Sequence, residues 1–94
     1  MATWYLRVEW HHDFPEEPLE LYSEVDAAGY EKRKVQVFRD GRVERADEET
    51  ETAMTGLSEV PIGSPEEISS EGEFSASAIT REEFERMWSQ AGRA

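Results

Sequence analysis

The sequence predicts one α+β domain over residues 1–94, an antiparallel sheet of about four strands with a C-terminal helix on one face and a short helix near 65–70. Three observations carry that expectation. Residues 3–10 alternate in polarity with the period of a strand, Asp40-Gly41 sits between two strand-like runs, and residues 80–92 hold capping residues around a helical apolar stripe.

In the first strand Trp4, Leu6, Val8 and Trp10 share one face, and Tyr5, Arg7 and Glu9 share the other. A connection rich in Asp, Glu and Pro follows over 11–18, and a second strand is expected at about 19–25. Asp26-Ala-Ala-Gly29 reads as a turn leading into a third strand, Tyr30 to Phe38. Asp40-Gly41 then reverses the chain into a fourth strand, about Arg42 to Ala46. A two-residue loop would pair Phe38 with Val43, and a three-residue loop bulged at Gly41 would pair Val37 with Val43. The second is preferred, because it places Val35, Val37 and Val43 on one face.

Residues 47–63 give no clear periodicity, although Leu57, Val60 and Ile62 around Pro61 suit an apolar segment lying across the core. Ser64-Pro65-Glu66-Glu67 is a capping box with proline at the first helical position, opening a helix that ends near Ser70. Thr80 and Glu83 repeat the box, with Ile79 and Phe84 in staple positions. Phe84, Met87, Trp88 and Ala91 then form one stripe, closed by Gly92. The expected core joins Trp4, Trp10, Val35 and Val37 to Phe84 and Trp88.

With no cysteine, disulfides and thiolate metal sites are excluded. No segment approaches the roughly 18–20 apolar residues that span a bilayer, and nothing at the N-terminus reads as a signal peptide, so a cytoplasmic location is expected. The net charge is −12, of which residues 46–94 carry twelve acids against three bases. Such a surface repels nucleic acid and anionic membranes and steers cationic partners toward it.

Candidate chemistry is sparse. His11-His12-Asp13 offers metal-ligand types, but neighbouring strand residues point to opposite faces, and no second ligand cluster exists. No nucleophile elbow, glycine-rich phosphate loop or helical histidine pair is present, so an enzyme is not expected and no cofactor is implied. Lys32, Arg33, Lys34, Arg39, Arg42 and Arg45 concentrate six of the ten basic residues in the hairpin 32–45. Lys32, Lys34, Arg39 and Arg42 would be the anion contacts of a nucleotide- or nucleic-acid-binding module. The competing reading pairs the hairpin with Glu20, Glu24 and Glu44 across strands. The acids of the last helix, Glu82, Glu83 and Glu85, lie near its start and complement the helix dipole.

Val8-Glu-Trp-His-His-Asp-Phe-Pro15, Leu21-Tyr-Ser-Glu24, Arg33 to Gly41, Glu59-Val-Pro-Ile62, Pro65-Glu-Glu-Ile68 and Thr80-Arg-Glu-Glu-Phe84 follow one another in an order that resembles a family of small acidic bacterial proteins, a domain of unknown function. The resemblance brings no assigned activity or site residues, and implies a link to toxin–immunity loci. The net charge of −12, the compact single core and the lack of catalytic geometry give the expected function, a non-enzymatic protein-binding domain, inhibitor- or immunity-like, docking a cationic partner. Asp47, Glu48, Glu49 and Glu51 are its expected contacts.

Overall fold

The computed structural model describes residues 3–49, 57 and 62–92. Alternation in the first segment produces β1 (Trp4–Trp10), which pairs with β2 (Pro18–Val25) on one side and β5 (Phe74–Ile79) on the other. β3 (Glu31–Phe38) and β4 (Val43–Asp47) complete an antiparallel sheet in the order β4-β3-β2-β1-β5. α1 (Pro65–Ser69) and α2 (Arg81–Ala91) begin at the predicted capping boxes.

The Asp40-Gly41 loop takes the preferred register, with Val37 opposite Val43 and Gly41 at φ +90°. Among the described residues Gly29 is the other one in that region, at φ +93°, and closes the predicted turn. There the Asp26 carboxylate accepts the N–H groups of Ala28 and Tyr30, both at 2.9 Å.

The fifth strand departs from the expectation of about four. Ser75, Ala76, Ser77 and Ala78 have little intrinsic strand preference. Their partner supplies the bulk: Ala78 lies opposite Leu6, Ala76 opposite Val8, and Phe74 stacks on Trp10 with ring centroids 5.8 Å apart. β5 is an edge strand, and its exposed backbone is plugged. Ser69 Oγ accepts the Ala76 N–H at 2.8 Å and donates to the Ala76 carbonyl at 3.3 Å.

The expected core is also divided. Strand register puts Trp4, Leu6, Val8 and Trp10 on one face, with Val25, Phe38 and Ala46, whereas α2 packs on the other. Under α2 lie Tyr5, Tyr22, Val35, Val37, Val43 and Ile79 against Phe84, Met87, Trp88 and Ala91. Both faces are covered, since Leu6 and Phe84 are 1% and 0% exposed. Leu57 and Ile62 are half-buried, while Val60 and Pro61 lie outside the described residues.

A helix can settle on the Tyr5–Arg7–Glu9 face because its charges are matched there. Arg33 donates from Nε and Nη2 to the two Glu24 oxygens, at 2.8 and 2.9 Å, and from Nη2 to Glu85 Oε2 at 2.6 Å. The same guanidinium lies 4.8 Å from the Phe84 ring and 4.9 Å from the Trp88 ring. Arg45 covers Trp88 at 4.4 Å and donates to its carbonyl. Gly92, in an ordinary helical conformation at φ −75°, lies under that guanidinium: a Cβ would meet Arg45 Nη1 at 2.7 Å, so Arg45 would have to shift.

Phe84→Ala should cost about 3–5 kcal/mol in urea unfolding, the range for emptying a fully buried aromatic site. Hydrogen bonding from Arg33 holds the Glu24 and Glu85 carboxyls below the ordinary range. Both groups therefore contribute stability that is complete above the unfolded value of about 4.3, and that stability is lost as pH falls through their lower folded values. The urea midpoint should drop below about pH 5, and Arg33→Gln should flatten that acid limb. An unchanged limb would place the sensitivity elsewhere.

Candidate functional site

At the end of the sheet where β1 finishes and β2 and β5 begin, four rings run side by side. Trp10, His12 and Phe14 share one parity of the chain, and Phe74 arrives from β5. Ring centroids are 5.8 Å apart from Phe74 to Trp10, 4.2 Å from Trp10 to His12 and 5.4 Å from His12 to Phe14. Phe14 is 59% exposed, a large apolar group left in water.

His12 fixes the loop that carries these rings. Its Nδ1 accepts the Phe14 N–H at 2.9 Å, which leaves Nε2 as the protonated nitrogen donating to the Pro18 carbonyl at 2.8 Å. His11 faces away, its Nε2 2.8 Å from Ser75 Oγ, while its N–H donates to the Glu73 carbonyl. The two imidazoles thus serve separate strands, and no group of three metal-ligating side chains occurs among the described residues. Asp13 points into solvent.

Beside the rings opens a hollow of about 480 Å³ lined by Trp10, Phe14, Pro15, Glu16 and Glu17. Trp10 Nε1 is buried and has no hydrogen-bond acceptor among the described residues. Asp13, Glu16, Glu17, Glu71 and Glu73 are exposed at this end, and none is in an ion pair among the described residues. Arg39 braces the loop from behind, donating to the His12 carbonyl at 2.8 Å.

The predicted acidic contacts sit at the opposite end of the sheet. Asp47, Glu48 and Glu49 line a hollow of about 430 Å³ together with Glu24, Lys32 and Arg33. Glu48 lies 3.1 Å from Lys32 Nζ, and Asp47 accepts the Glu49 N–H. Glu51 lies outside the described residues.

The basic hairpin is engaged internally. Lys32 pairs with Asp26 and Glu48, Lys34 with buried Glu31, and Arg42 with Glu44 while lying 4.3 Å from the Phe38 ring. Glu24 takes the cross-strand role expected of it, opposite Arg33, whereas Glu44 pairs with Arg42 two residues earlier in the chain and Glu20 pairs with Arg7, outside the hairpin. Sequence reasoning passed over the aromatic end because Trp-His-His-Asp-Phe was weighed for metal ligation. The usable signal was the parity shared by Trp10, His12 and Phe14.

Fold and surface together define a small acidic α+β domain with its hairpin cations engaged internally and an aromatic hollow at one sheet end. The chain belongs to the family described as Domain of unknown function (DUF6881), whose model matches residues 4–93. Searches of curated proteins and of solved structures match nothing. Among the described residues no helix is long and apolar enough to cross a membrane.

His12→Ala removes the two imidazole bonds that tie the 11–17 loop to itself and to β2. The expected result is a loss of about 1–2 kcal/mol with faster amide exchange at Phe14. Wild-type exchange at Phe14 would show that the loop is held by other contacts.

Proposed function

We propose that this domain is a non-enzymatic protein-binding module, inhibitor- or immunity-like, that docks a cationic protein in a bacterial cytoplasm. The observation that supports this reading is the division of charge. The hairpin cations are committed to internal carboxylates, carbonyls and rings, while exposed carboxylates at the aromatic end face solvent without an ion pair among the described residues. Surplus negative potential of this kind accelerates encounter with a basic partner and rejects acidic ones.

Asp47, Glu48, Glu49 and Glu51 are the proposed contacts. Against a partner purified by salt-sensitive capture, reversing all four to Lys should weaken binding by on the order of tenfold or more and flatten the dependence of Kd on salt. Unchanged affinity and slope would remove these four from the interface. Short single-stranded oligonucleotides should give flat anisotropy traces at low salt. A rise abolished by replacing Lys32, Lys34, Arg39 and Arg42 would instead favour a nucleic-acid module on the hairpin.

A further inference from the structure

We propose that the hollow formed by Trp10, Phe14, Pro15, Glu16 and Glu17 receives an arginine or lysine side chain of the partner, its cation held over the rings and facing the two carboxylates. This rests on the cationic-partner reading and adds a place and a chemistry to it.

The chain's own contacts point to the recognition mode. Guanidiniums already lie over Phe84, Trp88 and Phe38 at 4.3–4.9 Å, and two of those three, Arg33 and Arg42, are also ion-paired. Trp10 and Phe14 present the same ring-and-carboxylate combination with Glu16 and Glu17, and among the described residues no cation lies over either ring. A cation over an aromatic face gains electrostatically from the ring, and more so when partly desolvated. Trp10 Nε1 is buried, so the hollow is offered no hydrogen bond from the indole.

Charge selects the occupant. Asp13, Glu16, Glu17, Asp40, Glu71 and Glu73 belong to this sheet end, against Arg39 and Arg42. Arg42 is paired with Glu44, and Arg39 is turned to the His12 carbonyl. An apolar peptide would leave the Glu16 and Glu17 carboxylates facing its surface, whereas a basic side chain satisfies carboxylates and rings together. The hollow beside Asp47 differs, because Lys32 and Arg33 already stand in it.

The test is NMR titration of the whole domain with hexa-arginine and with hexa-citrulline, its uncharged isostere. Hexa-arginine should shift the Trp10 indole N–H and the Phe14, Glu16 and Glu17 amides, with hexa-citrulline at least about tenfold weaker. Phe14→Ala, at an exposed position, should weaken hexa-arginine at least about fivefold with an unchanged thermal midpoint, and Glu16→Gln with Glu17→Gln should reduce its salt dependence. Equal binding of both peptides would overturn the proposal in favour of an apolar docking surface. Shifts confined to Asp47–Glu49, with none at Trp10 or Phe14, would overturn it while leaving the cationic-partner reading intact. No shift with either peptide would count against both.

Discussion

The architecture depends on Arg33. A helix bearing Phe84, Met87 and Trp88 could not rest on a sheet face that includes Glu24 and Arg33 unless those charges were neutralised within the interface. Arg33 does this in two directions at once. Its edge satisfies Glu24 and Glu85, and its flat surface covers the two rings of α2. A lysine could form an ion pair there, but it lacks the planar fork needed to bind two carboxylates while stacking on rings. The ion pair also fixes α2 relative to β2 and β3, since Glu24 belongs to the sheet and Glu85 to the helix.

The same economy extends across the hairpin and determines what the surface has left to offer. Arg42 lies over Phe38 beside Glu44, and Arg45 lies over Trp88. Positive charge dense in the sequence between 32 and 45 is thus largely structural. The carboxylates left over, together with a ladder of rings at the far end of the sheet, form the chemically distinctive part of the molecule.

Much of the frame was legible because its signals are local. Capping boxes, the alternation of β1 and the Asp40-Gly41 loop depend on residues a few positions apart, and each predicted element formed where expected. β5 was not legible, because its small side chains become a strand only beside the bulk of β1. The core was misassigned for a related reason. Tyr5, Tyr22 and Arg33 look like solvent-facing residues in one dimension, yet their ring and guanidinium surfaces make a second buried face when they meet α2. The aromatic end required Phe74 and Trp10 to be brought together across 64 positions, and pairing at that distance leaves no mark on periodicity.

Ser69 gives the sheet a consequence for assembly. Both backbone groups of Ala76 and the N–H of Phe74 are already bonded within the chain, so the β5 side has no free rung at these positions for an incoming strand. At these positions the chain supplies its own partners where the backbone of a neighbouring strand would lie, so an incoming strand would have to displace Ser69 before it could pair with Ala76. One serine hydroxyl on a single turn of helix thereby stands in for a sixth strand at Ala76.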